Sequence, residues 1–289
     1  MTGLKGLILA AGDGSRIRKV TYGAFPKELL PIGNVPTIRF PLEALRLANI
    51  NSVMVVIAPQ TKHGIVDGLQ SGRRFNMDIC YIIQEKAENL SAGLGSAILT
   101  AKGWLLNEDF AVALGDTILC NLFGNNPMDC LRPLVDVHRK TDSIATILTY
   151  PTKADPRRFG VAKLGNLHEE NHYLFGEVER LVEKPGDDLI PNLMTNDYYC
   201  AIAGYYIFKP SIFDYIEKTI PDKRNEVQIT DAMQLAVENG QKVSAVVHAR
   251  NQNGTLLPLS YWDVGIPEDY RKANATLLNE NIDKWLSSE

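Results

Sequence analysis

The sequence predicts a three-layer α/β/α fold built around a mixed, mostly parallel sheet. Through the first half of the chain, short apolar runs alternate with stretches of helical periodicity. This alternation is typical of a largely parallel sheet that is covered by helices on both faces. A second observation is the glycine-rich turn at 11–16, which directly follows the first apolar run. In open α/β sheets such turns lie at the carboxyl ends of the strands, where ligands bind.

Each element follows from a local pattern of side chains. Apolar runs predict strands at 5–10, 52–57, 79–84, 109–114, 143–149, 159–164, 177–183, 202–208 and 243–249. Helical periodicity predicts helices near 37–48, 93–105 and 127–140. A further helix is predicted between Asn225 as its N-cap and Gly240 as its stop. The last helix is predicted to start at Pro267 and to cover about 267–286.

Composition and charge exclude several classes of protein. Of the 289 residues, 45% are hydrophobic and 22% are charged, as in ordinary globular proteins. The net charge of -4 argues against a nucleic-acid-binding protein, which would carry a basic face or tail. No apolar run is long enough to cross a bilayer, and the first residues do not form a secretory signal. The cysteines form no CxxC pair, so we expect a reduced, cytoplasmic enzyme that does not bind membranes.

The loop after the first strand, in the stretch LILAAGDGSRIRK, is typical of phosphate binding. It lacks the third glycine of a dinucleotide fingerprint, and no GK[ST] follows that would indicate a Walker P-loop. What remains is a cradle of backbone amides followed by two cations, Arg16 and Lys27, which together suit a triphosphate. The alternative for the loop alone is a solvated turn with incidental charge.

The stretch HEENH at 168–172 matches the zinc-protease string H-E-x-x-H. That motif works only on a helix, where both histidines share one face. Here it follows Gly165 and Asn166 and lies between two strand-like runs. We therefore predict a polar hairpin loop at this position and no zinc site.

The stretch that begins at the first strand resembles the sugar-1-phosphate nucleotidylyltransferases. In that family the first strand leads into G-x-G-[ST]-R, followed by Pro-Lys, Leu-Pro and a further proline. This chain carries the pattern at Gly12, Gly14, Ser15, Arg16, Pro26, Lys27, Leu30, Pro31 and Pro36. The resemblance continues through GLGSAILTAK at 93–102, FAVALGDTIL at 110–119, RFGVAKL at 158–164, VEKPGDD at 182–188, AGYYIFKPSIFD at 203–214, NEVQITDA at 225–232 and YWDVGIPEDY at 261–270. It implies the Rossmann-like fold of the nucleotide-diphospho-sugar transferases.

The resemblance also implies a reaction and its catalytic residues. An oxygen of a sugar-1-phosphate attacks the α-phosphorus of a nucleoside triphosphate, and pyrophosphate leaves. Arg16 would bind the pyrophosphate, and Lys27 would span the phosphates near the reacting centre. Lys184 would meet the attacking phosphate. Asp116 and Asp263 would share a Mg²⁺ ion that bridges the α-phosphate and the attacking group.

The remaining roles implied by the resemblance concern binding. The nucleotide-binding residues would be Ala11, Gly12, Gly14, Ser15, Gln84 and Gly93, with Gln84 reading the pyrimidine edge and Gly93 helping through its backbone. The sugar-phosphate-binding residues would be Gly160, Glu183, Lys184 and Ile202. The nucleotide-binding part would cover about 1–120 and the sugar-phosphate-binding part about 121–270 of a single domain, 1–289. The resemblance further implies a homo-oligomer, a dimer or a tetramer.

Several of these residues have ordinary structural alternatives. Asp116 could cap a turn after a strand, and Asp263 could bond its own backbone at a strand end. Lys184 and the proline after it could form a simple turn. A glutamine such as Gln84 after a strand is unremarkable by itself. Their joint occurrence within the ordered family pattern favours the functional interpretation.

The resemblance leaves the substrate open between two groups of the family. PKELLP, GLGSAILTAK and IFKPSIFD are similar to UTP–glucose-1-phosphate uridylyltransferases, whereas 60–84 and TIRFPLEAL are similar to glucose-1-phosphate thymidylyltransferases. We expect UTP and glucose-1-phosphate, with dTTP as the alternative. A nucleotide-sugar glycosyltransferase would need an acidic pair such as Asp-x-Asp, and here Gly115-Asp116-Thr117 offers one acid. A non-catalytic nucleotide-sugar sensor would be expected to have lost some of the charged site residues, which are all present.

Overall fold

A computed structural model describes residues 3–59, 62–85, 92–106, 108–121, 126–170, 173–252, 255–278, 280 and 282–286. The strands are β1 (Lys5–Ala10), β2 (Pro31–Ile32), β3 (Val35–Pro36), β4 (Ser52–Ile57), β5 (Asp78–Ile83), β6 (Phe110–Leu114), β7 (Thr117–Cys120), β8 (Ala145–Thr152), β9 (Gly160–Glu170), β10 (Tyr173–Glu183), β11 (Tyr199–Phe208), β12 (Val243–Val247), β13 (Ala249–Gln252), β14 (Thr255–Pro258) and β15 (Ser260–Asp263). The helices are α1 (Arg18–Thr21), α2 (Arg39–Leu47), α3 (His63–Leu69), α4 (Leu94–Thr100), α5 (Lys102–Leu105), α6 (Arg132–Thr141), α7 (Ile212–Lys218), α8 (Ile229–Glu238) and α9 (Pro267–Leu277). Short 3-10 helices, among them Lys27–Leu29, connect several of these elements.

The predicted fold class is confirmed, because helices accompany a mixed sheet whose strands β1, β4 and β5 are parallel. The chain divides into two compact units, which we describe separately. Unit 1 comprises Met1–Glu88, Ala111–Leu131 and Ser260–Glu289, and unit 2 comprises Asn89–Phe110 and Arg132–Leu259. The predicted single domain and the predicted homo-oligomer stay predictions. No helix within the described ranges is long and apolar enough to span a membrane.

Unit 1 brings three loops to the carboxyl ends of its parallel strands. Its strands follow the order β5-β4-β1-β6, with Ile8 opposite Val55 and Val55 opposite Tyr81. Strands β1, β4 and β6 are largely buried and apolar, as the sequence runs predict, whereas the edge strand β5 exposes Cys80 and Ile83. The N–H of Gly115, which follows β6, donates to the carbonyl of Leu9 in β1 at 3.0 Å, so the loops that leave β1, β5 and β6 emerge from the same edge of the sheet.

A second pair of strands in unit 1 brings the C-terminal part of the chain to this region. Strand β15 pairs with β7 in antiparallel fashion, and Asp263 lies opposite Thr117. Trp262, Ile118 and residues of α9 belong to one buried apolar cluster with Ile17. This packing fixes the end of β15 beside the residue that precedes β7.

Unit 2 contains a mixed arrangement of strands. Strand β8 is parallel to β12 and antiparallel to β11, and β10 lies between β12 and β9 in antiparallel fashion. The HEENH stretch begins in β9, and Glu170 pairs with Tyr173 of β10, so the predicted hairpin is present. Residues 168–170 are strand rather than the predicted loop, and residues 171 and 172 lie outside the described residues.

Several helix boundaries differ from the prediction. The helix predicted near 127–140 begins at Arg132, and the helix predicted near 93–105 is divided into α4 and α5. Helix α8 begins at Ile229, because Asn225 has a φ of 57° and belongs to the preceding turn rather than to an N-cap. Gly240 does follow the end of this helix with a φ of 75°. Helix α9 ends at Leu277, and Leu278 is 72% exposed, so the apolar face of the helix does not continue to the predicted end near 286.

The sequence patterns missed three short helices, α1, α3 and α7. Helix α3 has only seven residues, two of which are glycines, so it shows little periodicity.

The four cysteines are free thiols, as predicted, and Cys80 is exposed.

Candidate active site

The loop after β1 exposes its backbone at the carboxyl edge of unit 1. Ala11 is buried, whereas Gly12 and Ser15 are exposed. Gly14 has a φ of 65°, a left-handed conformation that glycine adopts without strain. The Ser15 N–H donates to the Asp13 carboxylate at 3.1 Å, which closes the loop locally. A turn of this kind can offer further amides to an anion.

Lys27 extends from the 3-10 helix Lys27–Leu29 along this loop to a carboxylate. Its Nζ lies 2.5 Å from Oδ2 of Asp116, and both side chains are largely buried. A Cβ atom at Gly12 would lie 3.2 Å from the same Nζ. Glycine at this position therefore lets the ammonium lie directly beside the loop backbone.

The charges of Lys27 and Asp116 stabilise each other. Burial lowers the pKa of Lys27, but the negative charges of Asp116 and Glu28 outweigh burial, so its pKa is raised overall. Burial raises the pKa of Asp116, but the charge of Lys27 outweighs this, so its pKa is lowered overall. Both groups therefore remain charged at neutral pH.

Asp263 provides a second carboxylate next to Asp116. The pairing of β15 with β7 places it there, and its Oδ2 lies 3.1 Å from Nη2 of Arg16. Its Oδ1 accepts a hydrogen bond from the N–H of Gly265 at 2.8 Å. Burial and the negative charge of Asp116 raise the pKa of Asp263, although Arg16 and Lys27 act in the opposite direction.

The carboxylates of Asp116 and Asp263 border the same small space, and Gly265 lies at the base of this space. A Cβ atom at Gly265 would lie 2.8 Å from Oδ1 of Asp263 and 3.1 Å from Oδ2 of Asp116. Mg²⁺ is commonly bound by one or two carboxylates together with substrate phosphates and water, so this donor set fits Mg²⁺. Within the described part of the chain, no group of three or more His, Cys, Asp or Glu could hold a metal. A metal at this place would therefore need oxygen ligands from the substrate or from water.

Gln84 and Gly93 are the two residues that the sequence assigns to the base. Gln84 directly follows β5, and its N–H donates to the carbonyl of Ile57 at 2.8 Å, so it lies at the same strand edge of unit 1. Gly93 belongs to unit 2, precedes α4 and has a φ of 98°. A Cβ atom there would lie 2.6 Å from the carbonyl oxygen of Val227, so no other residue fits without a shift of backbone.

The four residues assigned to the sugar phosphate lie together in unit 2. A Cβ atom at Gly160 would lie 2.8 Å from Oε2 of Glu183 and 3.0 Å from Cδ1 of Ile202. Nζ of Lys184 lies 3.8 Å from Oε1 of Glu183. Lys184 has a φ of 47°, a strained conformation for a lysine, and its N–H donates to the Phe159 carbonyl at 3.2 Å.

Thr230 is a member of this cluster that sequence reasoning missed. Its Oγ1 donates to Oε2 of Glu183 at 3.0 Å from the first turn of α8. Burial raises the pKa of Glu183, although the Thr230 hydrogen bond and the charge of Lys184 act in the opposite direction. Thr230 lies within NEVQITDA and Gly265 within YWDVGIPEDY, two stretches that carry the family resemblance. These stretches were a signal for both residues, although neither residue was predicted to belong to the site.

The raised pKa of Glu183 predicts a pH-dependent effect on stability. The folded chain binds the Glu183 proton more tightly than the unfolded chain does, so ionisation of this group destabilises the fold as the pH rises above 4.5. Glu183→Gln is therefore expected to raise the melting temperature at about pH 7 and to leave it unchanged at about pH 4, where both forms are neutral. Thermal unfolding at both pH values measures this.

Glu179→Gln is the matched control, because Glu179 lies on the same strand with half of its side chain exposed. It is expected to give no gain in melting temperature at either pH. An equal gain for Glu183→Gln at both pH values would contradict the attribution to ionisation.

Comparison with known proteins shows relatives over nearly the whole chain. A glucose-1-phosphate thymidylyltransferase of Streptomyces griseus is 30% identical over 279 residues, which cover 95% of this chain and 66% of that enzyme. This chain thus spans about two thirds of the length of that relative. A UTP–glucose-1-phosphate uridylyltransferase of Staphylococcus epidermidis is 32% identical over 251 residues, 80% of each chain.

A solved structure has the same fold. A UDP-glucose pyrophosphorylase, solved in complex with UDP-glucose, superimposes with a TM-score of 0.76 at 25% identity, over 96% of this chain and 100% of that one. Residues 5–280 match the nucleotidyl transferase family. The chain therefore belongs to the nucleotidyl transferase family.

Proposed function

We propose that the chain is a sugar-1-phosphate nucleotidylyltransferase. It joins a pyrimidine nucleoside triphosphate, UTP in preference to dTTP, to glucose-1-phosphate and releases pyrophosphate. The observation that carries this proposal is the cluster in unit 1 in which two cations and two carboxylates meet beside a glycine-rich loop. The names of the relatives, a thymidylyltransferase and a uridylyltransferase, agree with this class of reaction.

The reaction is a displacement at the α-phosphorus. A phosphate oxygen of the sugar-1-phosphate forms a bond to that phosphorus, while the bond from it to the oxygen bridging to the β-phosphorus breaks. The attacking phosphate is already ionised at neutral pH, so no general base is required. Both reactants are anions, and the protein must therefore neutralise charge and align the attacking and leaving oxygens.

Arg16 and Lys27 supply the positive charge for the triphosphate. The Arg16 side chain is 60% exposed, so it can leave Asp263 and reach the leaving pyrophosphate. Lys27 is held within a buried pair, so it offers a fixed ammonium beside the loop amides. Positive charge that is already in position stabilises the charge on the leaving group without reorganisation of the site.

Asp116 and Asp263 are the residues that would hold Mg²⁺. The ion, when bound, supplies positive charge to the phosphate oxygens between attacking and leaving groups. The space above Gly265 and the small separation of the two carboxylates support this assignment. Asp263 would accept a cation readily, because its own ionisation is opposed by burial and by Asp116.

Glu183 and Lys184 supply recognition of the sugar phosphate. The Lys184 ammonium would pair with the phosphate that attacks, and the Glu183 carboxylate would accept hydrogen bonds from sugar hydroxyls. Thr230 holds one oxygen of Glu183, which orients the other toward Lys184. Gly160 keeps this space open, since any side chain there would contact Glu183 and Ile202.

The first prediction of this function concerns which base of the nucleoside triphosphate is accepted. Gln84, with the backbone of Gly93, would read the edge that uracil and thymine share, and the uridylyltransferase-like stretches PKELLP and GLGSAILTAK favour UTP. UTP and dTTP differ by the ribose 2′-hydroxyl and by the 5-methyl group of the base. With glucose-1-phosphate, kcat/KM is expected to be higher for UTP than for dTTP by no more than about 100-fold, since a pocket that holds one methyl group discriminates weakly. ATP and GTP are expected to fail. Pyrophosphate release across four triphosphates and several sugar-1-phosphates measures this.

A tenfold preference for dTTP would instead assign the chain to the thymidylyltransferases. Efficient use of ATP or GTP would contradict the pyrimidine assignment. Absence of pyrophosphate release with every pair would contradict the proposed function.

A second prediction concerns the carboxylates. Asp116→Asn and Asp263→Asn are each expected to lower kcat by about 10²–10³, the usual effect of losing one electrostatic stabiliser. Asp142→Asn is the matched control, because Asp142 is exposed, forms an ion pair with Lys209 in unit 2, and already has a φ that asparagine tolerates. Wild-type turnover that persists in EDTA would argue against the metal.

A third prediction separates the two substrates. Arg16→Ala is expected to raise mainly the KM for the triphosphate, and Lys184→Ala mainly the KM for the sugar-1-phosphate. Lys153→Ala serves as the control, since its side chain is 77% exposed in an isolated surface pair of unit 2. If Lys184→Ala affected only the triphosphate, its role toward the sugar phosphate would be wrong.

A further inference from the structure

Unit 1 contains a buried ion pair to which the proposed reaction assigns no role. Nζ of Lys62 lies 2.6 Å from Oε2 of Glu28, and the two side chains are only 3% and 1% exposed. An ion pair this deeply buried contributes little to stability compared with an apolar pair of similar volume. Its position next to Lys27 indicates a different role.

The fold places this pair against the short helix that carries Lys27. Glu28 is the residue after Lys27 in the 3-10 helix Lys27–Leu29, and Lys62 directly precedes α3. A Cβ atom at Gly64 in α3 would lie 3.0 Å from Cδ1 of Leu29, so the two helices pack closely. A lysine at the N-terminal end of a helix is unfavourable for the helix dipole. Stabilisation of α3 therefore does not explain Lys62.

Glu28 also lies beside the residue that carries the Lys27 partner. A Cβ atom at Gly115 would lie 3.1 Å from Cγ of Glu28, and Asp116 is the next residue. Burial raises the pKa of Glu28, whereas Lys62 and then Lys27 act in the opposite direction and Asp116 adds to the rise. The negative charges of two carboxylates, Asp116 and Glu28, therefore act on Lys27. Its ammonium contacts Asp116.

We propose that Lys62 is a positioning residue for the reaction, because it neutralises Glu28 and so keeps the Lys27 ammonium on Asp116 and beside the loop after β1. Two contacts support this proposal: the buried contact of Lys62 with Glu28 and the separate contact of Lys27 with Asp116. This inference rests on the proposed function, since it concerns how Lys27 is presented to the triphosphate.

The proposal predicts an asymmetry between the two partners of the ion pair. Lys62→Met leaves a buried, uncompensated carboxylate at Glu28, and Lys27 is the other cation whose charge acts on it. Lys27 would then be drawn from Asp116 and from the loop. Glu28→Gln breaks the same ion pair but leaves no carboxylate to compete for Lys27. A pair with a merely structural role would show no such difference in turnover.

The test measures kcat, the triphosphate KM and the melting temperature for four variants with UTP and glucose-1-phosphate. Lys62→Met is expected to lower kcat by about 10- to 100-fold, the effect of a small misplacement of a catalytic group. The double variant Lys62→Met with Glu28→Gln is expected to recover kcat to within about threefold of the wild type. Both single variants are expected to lower the melting temperature, because each leaves a buried charge unpaired.

Arg46→Met is the matched control in the same unit. Arg46 pairs at 2.6 Å with the buried Glu43 on α2, so its removal also leaves a buried carboxylate without this partner. It is expected to lower the melting temperature and to leave kcat unchanged. Lys62→Gln carries the same test if Lys62→Met does not fold.

The outcomes separate this inference from the proposed function. A wild-type chain without turnover would contradict the proposed function. An active wild type with Lys62 variants of normal kcat, or with a double variant as slow as the single one, would overturn the positioning role. Loss of kcat in Lys62→Met with recovery in the double variant would support it.

Discussion

The buried ion pair between Lys27 and Asp116 is the interaction on which the rest of the candidate site depends. Its atoms lie 2.5 Å apart, and the side chains are only 13% and 10% exposed. Removing either partner would leave a buried charge without compensation. Lys27 lies on a 3-10 helix that follows the glycine-rich loop after β1, and Asp116 lies between β6 and β7. The ion pair therefore connects the segment after β1 to the segment after β6. The fold of unit 1 and the charge arrangement of the site therefore depend on each other.

Three glycines make this crowding of charges possible. Side chains at Gly12, Gly115 and Gly265 would come within about 3 Å of Lys27, Glu28 and Asp263 respectively. None of the three glycines has a φ in the left-handed region, so backbone conformation does not require glycine there. The requirement is space for charged side chains against the backbone. The close approach of charged side chains thus explains the glycines at 12, 115 and 265, whereas Gly14 of the G-x-G stretch has a left-handed φ of 65°.

What the sequence predicts well is whatever depends on local pattern. The strands at 5–10 and 52–57 lie where their apolar runs predict. The residues that the family resemblance assigns to the sugar phosphate are neighbours in unit 2, which local pattern alone does not indicate. The contacts that the sequence does not predict depend on the register of the strands and on the packing of the helices. Thr230 reaches Glu183 only because α8 packs on β10, and Lys62 reaches Glu28 only because α3 packs on the 3-10 helix. A lysine before a short, glycine-containing helix carries no periodic signal, so no reading of the chain alone pairs it with Glu28.

The charge balance of unit 1 also constrains how ligands enter the proposed reaction. Arg16 and Lys27 neutralise Asp263 and Asp116, whose mutual repulsion contributes to the raised pKa of Asp263. In the proposed reaction, a triphosphate that draws Arg16 from Asp263 would leave this carboxylate facing Asp116 above Gly265, while Lys27 stays on Asp116. In the proposed reaction, a divalent cation bound with the triphosphate would lessen the repulsion between the two carboxylates. Binding of the nucleotide and binding of the metal would therefore be coupled through Asp116 and Asp263.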